Sequence, residues 1–565
     1  MKLLKSQNSK SHAKKETDYL IVGAGSAGCV LASRLSEDQD VSVRLLEIGP
    51  KDRSWQIQMP AAFSRPLMSD RFNWAYKTLP EPFMDNRIMD CPRGRVIGGS
   101  SSINGMCYVR GHAADYDRWA DETGDPSWSY SHCLPYFKKA DSLPSRSADY
   151  HGSEGPLAVT VGLCENPLHQ AFIEAGIQAG YGHTDDQNGY RQEGFGPMFQ
   201  TINKGIRWSA AKAYLHPALS RPNLDVMRHA LVTRILFDRT RSIGAEVLIG
   251  GRIQTLYCQR EVIVCTGTIN SPQLLNLSGI GNAAHLEKIG VPCVVDLPGV
   301  GENLQDHLEA YIQHSCKQPV SIYPALKFHT QARVFLQWVA QQKGWGASNH
   351  FESGGFIRTK AGVRHPDIQY HFFPVAANYD GSAPVKGHGY QAHMGPMRPT
   401  SYGFVRTVSN DPRKPPQILF NYMQTENDRE EMRDGVRLTR EIFAQKAFDP
   451  FRGPELAPGA SITSDADIDA FVRARAESAY HPSCTCKMGV DDMAVTDSEG
   501  RVRGAENLRI VDASIMPSIP SGNLNAPVIM MAEKLADRIA GRTELEPSDA
   551  AVFYAPDWET SQRHS

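Results

Sequence analysis

No run in this chain approaches the ~20 consecutive apolar residues needed to span a bilayer. Any membrane association would therefore be peripheral. The chain also lacks an excess of either charge. A formal net charge of −2 provides no global basic field for nucleic acid, so no nucleic-acid partner is expected. The first sixteen residues include Lys2, Lys5, Lys10, Lys14 and Lys15, but no arginine and no apolar core. They match neither a mitochondrial nor a secretory address and read as a solvated basic tail. Weak attraction to an anionic membrane surface is the sharper reading of that tail. Cysteines are present without a pattern: there are eleven, an odd number, and they are scattered. They read as reduced thiols in a cytoplasmic setting. Cys484 and Cys486, close to His481, lack the spacing and ligand number of a closed zinc site, and no metal is expected. Repeats and low-complexity tracts are absent. What remains, 41% hydrophobic and 22% charged, is ordinary for a globular protein, and 565 residues call for two or three domains.

The strongest local signal runs from Asp18 to Glu47. A short apolar run at 19–22 reads as a buried strand. Gly23, Gly25 and Gly28 follow, enclosing Ser26 and Ala27. At this spacing the first glycine allows a tight turn. The second lets the backbone approach a pyrophosphate, and the third lets a helix pack close to the strand. Val30, Leu31 and Leu35 then repeat at helical spacing. A second strand at 41–46 ends in Glu47, nineteen positions after Gly28, where an acid would bind ribose hydroxyls. An acid there favours FAD or NAD over NADP.

Further along, Gly98, Gly99, Ser100, Asn104 and Gly105 belong to a glycine–serine loop followed by apolar residues, suited to hugging a phosphate or a flat ring. Helical stretches are expected at 171–179 and 209–215, and strands at 231–237, 245–249 and 261–265. Gly267 follows, and Ser271 before Pro272 reads as a helix N-cap. This strand–glycine–helix unit is expected in the same sheet as the first strand. Segments 368–373 and 403–408 alternate as antiparallel strands do, and 428–444 reads as a polar-faced helix. The last α/β unit comprises 508–513 and an apolar helix at 528–539. Cofactor-domain elements thus lie at both chain ends, with a second domain inserted between them.

These motifs together resemble the glucose–methanol–choline (GMC) oxidoreductase family over nearly the whole chain. The matching stretches are 94–104, 267–279, Tyr480-His481-Pro482 and 511–527. Residues 101–108, 301–309 and 480–489 are similar to the choline-oxidising members. The resemblance implies an α/β, Rossmann-like FAD-binding domain with an inserted α+β substrate domain built on an antiparallel sheet. The FAD-binding domain is expected over 17–156, 201–309 and 476–545. The substrate domain is expected over 157–200 and 310–475, with tails at 1–16 and 546–565. FAD would be held by Gly23, Gly25, Ser26, Ala27, Gly28, Glu47, Gly98, Gly99, Ser100, Asn104, Gly105, Val232, Gly267, Asp512, Ala513, Asn523 and Pro527. Ile103 stands where choline oxidases of the family carry a flavin-linked histidine, so the FAD is expected to be non-covalent.

The resemblance also assigns the chemistry. His481 matches the catalytic base, and Asn525 is the candidate amide partner that would hold the alkoxide. A helix N-cap is the alternative use of Asn525. Glu309 matches the carboxylate that binds a trimethylammonium head, and His371 matches a second histidine that orients the hydroxyl. Trp74, Phe351 and Tyr480 are candidates for an aromatic cage. The implied reaction oxidises choline to betaine aldehyde and then to glycine betaine. A quinone or other non-oxygen acceptor would take the electrons, with peripheral association at the cytoplasmic face of the inner membrane. Three rivals stay open: oxidation of other primary alcohols, an FAD-dependent lyase, and a non-catalytic FAD-binding protein.

Overall fold

The structure, a computed structural model, describes residues 16–377 and 386–563. Except for Glu16, the expected basic tail lies outside the described residues. β1 (Glu16–Val22) is largely buried, as a central parallel strand must be. It is followed by α1 (Ser26–Leu35) and β2 (Val43–Glu47). β1 pairs in parallel with β2 and with the end of β3 (Arg252–Val264), so that Val22 lies beside both Leu46 and Val264. Leu224–Arg228 extends the sheet beyond β2, while Ala230–Asp238 and Arg241–Ile249 run antiparallel beyond β3. The expected helix at 209–215 is a single π-helical turn, Ala211–Leu215.

α2 (Gly267–Leu277) starts earlier than expected. Its N-cap is Thr266, and Ser271 lies inside the helix. Two tertiary contacts explain this. Pro272 cannot donate to the Thr268 carbonyl, which instead accepts from the Thr485 hydroxyl at 2.6 Å. The Ser271 hydroxyl donates to Asp512 at 2.6 Å.

The second sheet is antiparallel and contains β4 (Leu308–Cys316), β5 (Ser353–Ile357), β6 (Ile368–Phe373) and β7 (Gly389–Pro396). Across the sheet the order is Arg452–Ala457, β4, β7, β6, β5 and Gly194–Pro197. Successive side chains on a strand point to opposite faces. Ile312, Tyr370, Phe372, Tyr390, Ala392 and Met394 therefore build a core with Met432 and Phe443 of the helix Glu426–Phe443. Glu309, Tyr311, His371, Phe373 and His393 have the other parity and face the first domain across a cavity. β6 is consequently buried on both sides rather than half exposed. Of the expected strand at 403–408, only Phe404–Arg406 forms, in a separate pair with Gln417–Leu419.

The chain then returns to the first sheet. β8 (Leu508–Ile510) adds in parallel to β3, and α3 (Asn525–Ile539) packs beside α1, where Arg34 grips buried Glu533 with two bonds of 2.9 and 2.8 Å. The segment expected as a C-terminal tail lies against both domains. Ser548 N–H donates to Ser131 O, Phe553 N–H donates to Tyr190 O, and Arg563 pairs with Glu441.

Candidate active site

A single cavity of about 1530 Å³ extends from the Gly23 turn to His481. Of the residues expected to hold a dinucleotide, Gly23, Gly25, Ser26, Ala27, Glu47, Gly99, Ser100, Asn104, Gly105, Val232, Gly267, Asp512, Ala513 and Asn523 line it. Gly28, Gly98 and Pro527 do not. Gly28 stands behind the wall because its role is close packing: a Cβ there would lie 1.9 Å from the Gly23 carbonyl oxygen. Gly98 adopts a φ of 89° at the turn into the serine loop, and Pro527 is buried in the first turn of α3.

The lining suits a long cofactor bearing an anionic centre. α1 has no side-chain cap, so the N–H groups of its first turn are left for a ligand. A Cβ on Gly105 or Gly267 would meet nothing within 4 Å, leaving open cavity there. The Glu47 carboxylate accepts from Ala24 N–H at 3.0 Å and from Gly49 N–H at 2.8 Å at the end of β2. Burial pushes its pKa up to about 7 against those two bonds. Arg207, which sequence reasoning missed, is buried and fixes the serine loop by donating to the Asn104 carbonyl at 2.7 Å and side-chain oxygen at 2.8 Å.

At the far end, His481 is positioned by its backbone. Glu477–Ser478 pairs antiparallel with Leu308–Glu309, and the His481 N–H donates to buried Asp306 at 2.6 Å. The Cys484 and Cys486 N–H groups then bond to the carbonyls of Ala513 and Ser514, zipping this loop to the segment after β8.

Sequence reasoning also missed His307. Its Nε2 lies 3.0 Å from the Met397 carbonyl, and its Nδ1 lies 3.0 Å from Nδ1 of His481. A carbonyl only accepts, so Nε2 of His307 carries the hydrogen. Burial lowers the His307 pKa to about 4, which makes the ring neutral and its Nδ1 an acceptor. His481 must then donate from Nδ1, leaving a lone pair on Nε2. Burial, followed by His307, keeps His481 well below the ordinary histidine range.

The amide beside that lone pair belongs to Asn523, not Asn525. Nδ2 of Asn523 lies 3.0 Å from His481 Nε2, and its Oδ1 faces His371 Nε2 at 3.2 Å and Gln369 Nε2 at 3.3 Å. Asn525 is the first residue of α3, and its Oδ1 is occupied by the Ser26 hydroxyl at 2.7 Å. Asn525 is also not the N-cap, a position held by Leu524.

Glu309 sits between two histidines, with Oε1 3.3 Å from His371 Nδ1 and Oε2 3.5 Å from His393 Nδ1. Burial would raise its pKa, but the bonds to His371 and His393 outweigh burial and hold Glu309 well below the usual carboxylate range. Burial likewise opposes charge on His371, but hydrogen bonds with Cys107 and Glu309 raise it to about 10. His393 is lowered by burial. Trp74, Phe351 and Tyr480 all line the cavity. Trp74 stacks on Tyr76, and Phe351 meets His371 and His393 edge-on, with centroids 6.1 and 5.4 Å away. His393 could have been found in the sequence: Gln391-Ala392-His393 repeats the spacing of Gln369-Tyr370-His371.

Two GMC oxidoreductase models match residues 17–309 and 399–532. An oxygen-dependent choline dehydrogenase of Burkholderia multivorans is 57% identical over 545 residues, covering 96% of each chain. One of Pseudomonas aeruginosa is 57% identical over 549 residues, covering 96% of this chain and 98% of its own. Among solved structures, pyridoxine 4-oxidase from Mesorbium loti superposes with a TM-score of 0.85 at 32% identity, covering 93% of this chain and 100% of its own.

Proposed function

The chain belongs to the GMC oxidoreductase family, and on that premise we propose that it is an FAD-dependent choline dehydrogenase. It converts choline to betaine aldehyde and the hydrated aldehyde to glycine betaine. One observation carries this reading: a neutral histidine whose Nε2 lone pair faces the Asn523 amide and a buried carboxylate share one cavity with the dinucleotide turn. Gly23, Gly25, Ser26 and Ala27 would hold the pyrophosphate of FAD, Glu47 a ribose, and the 99–105 loop, Ala513 and Asn523 the ring end. When bound, FAD supplies the hydride acceptor. An alcohol oxygen seated between His481 and Asn523 gives its proton to Nε2 and accepts from the amide N–H. The developing alkoxide is thus stabilised as the C–H bond weakens. Glu309 attracts the fixed positive charge of the head group, and Phe351 presents an aromatic face to its methyl groups. A gem-diol offers the same hydroxyl and hydride, so the second oxidation reuses the same groups.

His481→Ala tests the base. With FAD retained, anaerobic flavin bleaching by choline should slow by about 10²- to 10⁴-fold. Bleaching at the wild-type rate would remove His481 from the mechanism. Ile103, buried among Ile57, Phe72 and Val96 and offering no nucleophile, supports a non-covalent FAD. Acid precipitation should leave the yellow colour in the supernatant.

A quinone remains the acceptor suggested by the family resemblance, whereas the relatives are named oxygen-dependent. Mixing choline-reduced enzyme with oxygen or with a soluble quinone, and following the flavin band, separates the two. A docking site for an anionic lipid bilayer fits the quinone reading. Phe328, Ala332, Leu336 and Val339 form an exposed stripe on the helix Phe328–Gln341, and Phe328 and Ala332 also line the cavity. Arg333 lies on this helix, Lys327 and Lys343 flank it in sequence, and no acidic residue occurs between Glu309 and Glu352. No helix among the described residues is long and apolar enough to cross a membrane.

A further inference from the structure

We propose that His393, locked in one tautomer by Gln391, is a specificity-determining residue that sets Glu309 as the seat for a quaternary ammonium head. The proposal rests on reading this cavity as a choline site. It starts from an atom whose identity is forced. Oε1 of Gln391 accepts from the Ala377 backbone N–H at 2.8 Å and from Gln313 Nε2 at 2.9 Å. A backbone N–H can only donate, so the Gln391 atom facing it is oxygen. The atom 2.7 Å from His393 Nε2 is then the amide nitrogen. That nitrogen can only donate, so His393 Nε2 accepts and its hydrogen resides on Nδ1, pointing at Glu309.

The consequence is electrostatic. A neutral Nδ1–H donor fixes the second oxygen of Glu309 without cancelling its charge. His371, on the first oxygen, is the group that the surrounding bonds favour as a cation. A second imidazolium at His393 would make the seat net positive and repel a substrate cation. The relay from Gln313 through Gln391 to His393 prevents this. Its geometry follows from strand register: Gln313 lies opposite Gln391, and Tyr311 and His371 lie opposite His393. The Tyr311 ring is 4.3 Å from the His393 ring and Phe351 is 5.4 Å away, so the polar seat is bounded by aromatic surface suited to methyl groups.

The test compares choline with its uncharged isostere 3,3-dimethylbutan-1-ol on the holoenzyme, measuring kcat and KM separately. Flavin content per protein reports folding. His393→Phe removes the donor and keeps a ring. Gln391→Glu keeps acceptor oxygens for Gln313 and Ala377 but replaces the donor that faces His393. Each should raise the choline KM by about tenfold to a hundredfold, the scale of a lost hydrogen bond to a charged group. The isostere KM should move by less than about threefold, and kcat should be nearly unchanged. His393→Asn, whose amide nitrogen can stand where Nδ1 stood, should restore most of the preference for choline. An unchanged choline KM in His393→Phe, or equal losses for both substrates, would overturn the proposal. A separate arm tests the reading beneath it: if Glu309→Gln keeps the full preference for choline over the isostere, Glu309 is not the cation seat and both fall.

Discussion

At the scale of single residues, the chemistry depends on where protons sit. Met397 fixes the hydrogen of His307, and His307 in turn fixes that of His481. His307→Leu should therefore slow flavin reduction by about 10²-fold or more while leaving the choline KM nearly unchanged. The pH profile carries a further sign. The pKa of His481 is depressed chiefly by burial, so the imidazole stays neutral as pH falls below the ordinary histidine value. The acid limb of the flavin-reduction rate should therefore lie below the ordinary histidine value. An acid limb at the ordinary histidine value would show that burial does not hold His481 neutral. His481 and Glu309 were legible in sequence because each lies inside a contiguous motif. Asn523 and Asn525 lie two positions apart in Gly522-Asn523-Leu524-Asn525, and sequence alone could not choose between them. The helix begins between the two residues, which turns Asn525 toward Ser26 and leaves Asn523 in the loop facing His481.

At the scale of elements, the close approach of backbones decides what the first sheet tolerates. Gly23 has a φ of 99°, and a Cβ there would lie 2.5 Å from the Cys265 carbonyl oxygen. β1 and β3 are paired at that point, so neither backbone can retreat. Gly23→Ala should lose about 1–3 kcal/mol from the strained backbone alone, with the clash added. The measurable outcomes are a lower Tm and a lower flavin-to-protein ratio. Period-2 alternation in β6 was visible in sequence, but the meaning of each face was not. With both faces buried, alternation no longer separates inside from outside. It separates a packed core from a cavity wall.

At the scale of the whole molecule, the two chain ends form one domain. The inserted sheet closes a cavity whose lining reaches an exposed apolar stripe on a helix that carries Arg333 and is flanked by Lys327 and Lys343. If that stripe docks on lipid, sedimentation with vesicles should depend on anionic phospholipid and weaken as salt rises. Leu336→Glu together with Val339→Glu should release the protein while choline still bleaches the flavin. Wild-type protein that stays in the supernatant with anionic vesicles at low salt would sink the docking surface. By itself, the sequence determined the dinucleotide end and the family. Those depend on local constraints: glycine spacing, a strand, a helix start and an acid within thirty positions of one another. Only the tertiary structure decided which amide meets His481, which histidine fixes its proton and which two hold Glu309. Residues 307, 309, 371, 393, 481 and 523 come from separate strands and loops, and a hydrogen bond acts over about 3 Å. Strand register and chain return, rather than neighbourhood in sequence, bring such groups within that reach.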